Sequence, residues 1–146
     1  MTTKVKPVPE GRHTVCSYIV SPGVAQIIDF AKQTFGATEV YSHRRPDGSV
    51  MHAEIKIGDS IVMLGDAGEA GKKFPAMLHL YLEDVDAVYQ RAIQAGAKSL
   101  REPTNQFYGD RSGAVEDSFG NQWWISTHVE DVTPEELERR AKAAQG

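Results

Sequence analysis

From residue 14 the hydrophobic pattern switches between two periods. "TVCSYIV" (14–20) is a strand-length apolar run, and "GVAQIIDFAKQTFGA" after it repeats Val24, Ile27, Ile28, Ala31 and Phe35 at helical spacing until Gly36 stops it. "TEVYSHRR", the turn "PDG" (46–48), the alternating "SVMHAEIKI", the turn "GDS" and "IVMLGD" then predict short strands joined by hairpins. The order β-α-β-β-β recurs. "MLHLYL" is a strand, "EDVDAVYQRAIQAGA" a helix ending at Gly96, and "SLREP", "SGAVED" and "QWWISTH" are strands around "SFGN". "TFGA" at 34–37 and "QAGA" at 94–97 mark the repeat. The expected plan is a flexible N-terminal arm (1–13), a first module (14–65), a mobile Gly/Ala/Lys-rich linker (66–76), a second module (77–128) and a C-terminal helical arm (129–146). In that arm Thr133 is the expected N-cap, with Pro134 at the first helical position and Glu136 closing a capping box.

Alternation assigns faces, because successive strand residues point to opposite sides of a sheet. In residues 77–82, Leu78, Leu80 and Leu82 form an apolar face and Met77, His79 and Tyr81 the other. In residues 50–57, Met51, Ala53, Ile55 and Ile57 oppose His52, Glu54 and Lys56. In the last strand, Trp123 and Ile125 oppose Trp124, Ser126 and His128. With helices behind the aliphatic faces, the mixed faces would line a small-molecule cavity. The competing reading is a solvated face, the common fate of polar residues on antiparallel strands, with His79 as a bonded core histidine. Met63, Met77 and Trp124 favour the cavity.

Composition narrows the class. The 146 residues are 40% hydrophobic and 25% charged, as expected of a globular protein. A net charge of -4 gives no footprint for nucleic acid. A single cysteine, Cys16, excludes an internal disulfide or a thiolate zinc cluster, and no stretch approaches the roughly 20 apolar residues of a membrane span. The expectation is a cytoplasmic protein.

The repeated plan, with "IIDFAKQTFGA", "MHAEIKIGDSIVMLGD", "LHLYLEDVDAVYQRAIQAGA" and "FYGDRSGAVEDSFGNQWWISTHVED", resembles the vicinal oxygen chelate superfamily over about residues 14–132, in particular its glyoxalase and bleomycin-resistance branch and the PhnB-like group. The resemblance implies an α+β fold of two βαβββ modules in a curved mixed sheet around a cavity, usually in a homodimer. It also implies a divalent ion held by His and Glu on the first and last strands of each module. Those positions fall here on Cys16, Met63, Met77 and Trp124, a set unsuited to a hard or borderline ion. No cofactor is expected, and a divalent metal is disfavoured.

Two functions remain from this reading. One is a binding protein for a small, partly aromatic or oxygen-rich molecule, met by Cys16, Tyr18, His52, Glu54, Met63, Met77, His79, Tyr81, Phe107, Tyr108, Arg111 and Trp124. The other is an enzyme, a glyoxalase-like lyase, isomerase or dioxygenase, either metal-free with His79 as acid or base, or with a relocated metal on His52, Glu54 and His79. Arg111 would meet a ligand oxygen or pair with Asp110, Glu116 or Asp117 to fix its loop. A dimerisation scaffold clamped by the C-terminal helix is a third, non-catalytic possibility.

Overall fold

The computed structural model describes residues 5–68 and 71–145. Residues 1–4 of the expected N-terminal arm, 69 and 70 of the linker and 146 of the C-terminal arm lie outside the described residues. The first module runs β1 (Ser17–Ser21), α1 (Val24–Phe35), β2 (Thr38–Arg44), β3 (Val50–Ile57) and β4 (Ser60–Asp66). The second runs β5 (Met77–Tyr81), α2 (Val85–Gln94), β6 (Lys98–Asn105), β7 (Asp110–Glu116) and β8 (Gln122–His128), and α3 (Pro134–Gln145) follows. Each module forms its own four-stranded sheet, in the orders β1-β4-β3-β2 and β5-β8-β7-β6. The pairs β1/β4 and β5/β8 are parallel and the others antiparallel, so both sheets are mixed and the fold is α+β. The chain divides into two compact units, Met1–Lys32 with Gly36–Phe74, and Gln33–Phe35 with Pro75–Gly146.

In the first sheet Ile19, Val50, Ala53, Ile55, Val62 and Leu64 are buried on one face. Burying each of the valine, isoleucine and leucine side chains stabilises by about 1.5–3 kcal/mol. One expected member is displaced. Met51 is 53% exposed while Val50 is fully buried, because pairing steps from His43↔His52 to Arg44↔Val50. Met51 is thus the extra residue of a β-bulge, and strict alternation fails beyond it. Helix α1 buries Val24, Ile27, Ile28 and Ala31 and ends where Gly36 takes a left-handed φ of 68°. The Gly36 N–H donates to Lys32 O at 3.1 Å and the Ala37 N–H to Ala31 O at 3.3 Å, which closes the helix. After β4, Phe74 pairs with Val20 as an isolated bridge, so this end of the expected linker is tied to β1.

In the second sheet Trp123, Ile125 and Val115 are fully buried, and α2 packs against β6, β7 and β8 through Val85, Val88, Tyr89 and Ala92. Asp84 caps α2, its carboxylate accepting the Ala87 N–H at 3.2 Å. Thr127 ties strand to helix: its hydroxyl donates to Leu82 O at 2.6 Å and accepts the Val85 N–H at 2.9 Å. The β7–β8 turn is held by Asp117, whose carboxylate accepts the N–H groups of Phe119 and Asn121, the Asn121 amide and the Trp123 indole N–H. The "D-x-x-G-N" stretch is therefore a structural device, with Gly120 at φ 89° and Asn121 Oδ1 accepting the Ala76 N–H at 2.9 Å.

Thr133 caps α3 as expected, its Oγ1 accepting the Glu136 N–H at 3.2 Å, but the Glu136 carboxylate is taken by Arg139 and Arg140 instead of closing a capping box. No residue of α3 is buried. Arg140 holds it to its own unit, pairing with Glu130 at 2.7 Å and donating to Phe107 O at 3.2 Å, while bonds from Arg139 and Arg140 lower the Glu136 pKa to about 2.

Candidate binding faces on the two sheets

On the first sheet the face opposite the buried aliphatics carries the row Tyr18–Met63–Glu54–Tyr41, fixed by register across all four strands. His52 stands two residues before Glu54 on the same face. A continuous polar chain results. Arg12 pairs with Glu54 Oε1, Glu54 Oε2 meets His52 Nε2 at 3.0 Å, and His52 Nδ1 meets Tyr18 Oη at 3.0 Å. His52 thus bridges Glu54 and Tyr18 through its two ring nitrogens, while Glu54 accepts from Arg12 with its other oxygen. To reach His52 on β3, the Tyr18 side chain crosses β4 over Gly65. A Cβ there would stand 2.9 Å from Tyr18 Oη and 3.2 Å from Met51 O, so this glycine is what lets the phenol pass.

On the second sheet the face opposite α2 carries two successive rows, His79–Trp124–Ala114–Arg101 and Tyr81–Ser126–Ser112–Thr104. The Arg101 guanidinium lies 5.3 Å from the centre of the Trp124 ring, and the Trp124 indole N–H donates to Gln122 Oε1 at 3.0 Å. Tyr81 is 64% exposed, yet its hydroxyl donates to buried Asp110 Oδ2 on β7 at 3.0 Å, so its ring crosses β8 over Ser126. Asp110 Oδ1 meets His128 Nδ1 at 2.8 Å, and His128 Nε2 meets Asp131 at 2.7 Å. The bond to Asp110, aided by burial, raises the Tyr81 pKa. The bonds to Asp110 and then Asp131 raise that of His128.

The candidates read from the sequence divide accordingly. Tyr18, His52, Glu54 and Met63 share the first face; Met77, His79, Tyr81 and Trp124 share the second. His79 is exposed, lies against Tyr81 with ring centres 5.0 Å apart and planes tilted by 42°, and makes no side-chain hydrogen bond among the described residues. Cys16 lies just before β1, exposed, its thiol donating to His13 O at 3.3 Å. Phe107 and Tyr108 form an edge-on pair in the β6–β7 turn. Arg111 requires a correction. Its fork grips Asp86 at 2.7 and 2.9 Å, with Asn105 at 3.2 Å, rather than Asp110, Glu116 or Asp117. Arg111 alternates with Asp110 and Ser112 and so faces the α2 side, away from Trp124 and Tyr81.

Arg12, Arg101, Asp110, Ser112 and Ser126 were not singled out as site residues from the sequence. Extending the alternation rule to "DRSGAVE" places Asp110 and Ser112 on the Trp124 face; nothing local in the sequence brings Arg12 to Glu54.

A model of the Glyoxalase/Bleomycin resistance protein/Dioxygenase superfamily matches residues 12–125. The chain belongs to this superfamily. It is 35% identical over 140 residues to the uncharacterized protein Mb0911c of Mycobacterium bovis, covering 88% of this chain and 91% of that one. Among solved structures, TioX from Micromonospora sp. ML1 superposes with a TM-score of 0.68 at 23% identity, covering 80% of this chain and 99% of TioX. The PhnB protein from Bacillus cereus, a putative 3-demethylubiquinone-9 3-methyltransferase, gives 0.62 at 17%, covering 79% and 99%.

The superfamily's metal positions, carried onto Cys16, Met63, Met77 and Trp124, offer a thiol, two thioethers and an indole. Indole nitrogen has no lone pair to give, and Met77 is 65% exposed. This donor set does not fit a hard or borderline divalent ion. Among the described residues no group of three or more His, Cys, Asp or Glu side chains is placed to hold a metal ion.

Proposed function

We propose that this superfamily member binds a small, partly aromatic molecule on the second sheet, opposite α2. The observation that carries this reading is the arrangement of Trp124, His79 and Tyr81 on that face, with the Arg101 guanidinium 5.3 Å from the Trp124 ring centre and small, buried Ala114 beside it. A planar ligand stacking on the indole gains about 0.5–1.5 kcal/mol beyond area burial. A thermal-shift screen of a small-molecule library against wild type and Trp124→Ala tests it. At least one compound is expected to raise the wild-type midpoint more than the variant's; no such compound would contradict the reading. The same reading takes the protein as a cytoplasmic homodimer, for which light scattering should return twice the chain mass. Among the described residues no helix is long and apolar enough to cross a membrane.

A second reading, metal-free catalysis, is favoured by the Arg12–Glu54–His52–Tyr18 chain. A carboxylate that orients an imidazole, which in turn hydrogen-bonds a phenol, is suited to proton transfer. His79 lacks such an orienting group, so the acid–base role considered for it fits His52 better. A turnover lost in His52→Asn and kept in His79→Asn would support this assignment; the reverse would return the role to His79.

A further inference from the structure

Two hydroxyls on the second sheet are buried without partners. Ser112 is 2% exposed and Ser126 fully buried, and neither Oγ has a hydrogen-bond partner among the described residues. They are register partners on β7 and β8, in the row roofed by Tyr81 and next to the row of Trp124. Directly opposed strand residues have Cβ atoms about 4.5–5.5 Å apart, a spacing at which two hydroxyls can donate to one carboxylate. Buried polar groups are normally paired, so such a pair marks a place for an acceptor.

Arg101 supplies the charge. Arg12, Arg111, Arg139 and Arg140 bond to carboxylates or, at Arg111, also to an amide, and Arg44, Arg45 and Arg91 donate to backbone or serine oxygens. Among the described residues Arg101 is the arginine without a hydrogen-bond acceptor, its guanidinium resting only on Trp124. The row position beside it is Ala114, which has no carboxylate to offer. Of the acids on this face, Asp110 is engaged by Tyr81 and His128, and Glu116 lies one row beyond Trp124, opposite Lys98.

Resting on the binding reading above, we infer that the ligand of this face is a planar aromatic anion, its ring on Trp124 and its carboxylate taken by Ser112, Ser126 and Arg101. Tyr81 is the roof of the hydroxyl row. Its ring is exposed and tethered by one hydrogen bond, so rotation about its side chain uncovers Ser126.

Calorimetric titration with 2-naphthoate and its neutral isostere 2-naphthamide tests the inference. Wild type should bind the acid about tenfold more tightly than the amide or better, the scale of charge-assisted hydrogen bonds. Arg101→Gln should abolish that preference. Ser112→Ala/Ser126→Ala should weaken the acid by a similar factor while melting no lower than wild type, because no internal hydrogen bond is lost. Equal binding of acid and amide, or a preference that survives Arg101→Gln, overturns the anion inference and leaves the aromatic reading standing. Binding of neither, with hits in the library screen, also overturns the inference alone; an empty screen sinks both.

Discussion

The two sheets share one plan and use their mixed faces in opposite ways. Tyr18 and His79 each stand six residues before the first residue of the following helix, and they head equivalent rows: Tyr18–Met63–Glu54–Tyr41 and His79–Trp124–Ala114–Arg101. In the first row a glutamate takes up Arg12 and His52, and the face satisfies itself. In the second an alanine stands in that place, so Arg101 has no acid to meet, and the neighbouring row buries two serine hydroxyls without partners. A repeated backbone therefore fixes where side chains can meet, while single exchanges such as Glu54 against Ala114 decide whether polar groups are left for a ligand.

The largest effect should come from the turns that carry each row. Asp117→Ala strands several buried donors and should lower stability by about 3 kcal/mol, whereas Asp59→Ala at the corresponding β3–β4 turn should change it by less than about 0.5 kcal/mol in denaturant melts. Asp59 is exposed and meets only Ser60 Oγ. Next, Glu54→Gln should cost about 1–2 kcal/mol by weakening the bonds to Arg12 and His52, while Ser126→Ala on the other sheet should be neutral or stabilising. Opposite signs would mean that the two faces are not used as described. Smaller again, Gly65→Ala should cost about 1 kcal/mol, because the nearest obstructing atom is the tip of a movable side chain and Met51 O need give by only a few tenths of an ångström, but it should detach Tyr18 and shift the His52 Nδ1 resonance.

The smallest effect is a pH dependence carried by His128 in the second unit. His128 has its pKa raised above 6.5, so its ion pairs contribute fully below that value and are lost as pH rises through the folded-state pKa. The melting temperature should fall over that interval, and His128→Asn should flatten the fall; an unchanged slope would place its origin elsewhere.

Much of this was legible in the sequence because it depends on local period and punctuation. The eight strands, three helices, Gly36 stop, Thr133 cap and the faces of β5 and β8 follow from alternation and capping residues. Met51 was misplaced because a bulge is a property of strand pairing, set as much by β2 as by β3. Arg111 was paired wrongly because its partner lies on α2, and a search among neighbours in sequence cannot reach Asp86. The Arg12–Glu54 contact joins residues far apart in the chain, and the unpaired serines became visible only once register and burial were known together.

The contrast between the two faces is tested most directly by one amide and indole NMR titration of wild-type protein with 2-naphthoate. Shifts should centre on His79, Tyr81, Ser112, Ser126 and the Trp124 indole, with Tyr18, His52, Glu54 and Met63 unmoved. Shifts centred on the first sheet, or spread equally over both, would contradict it.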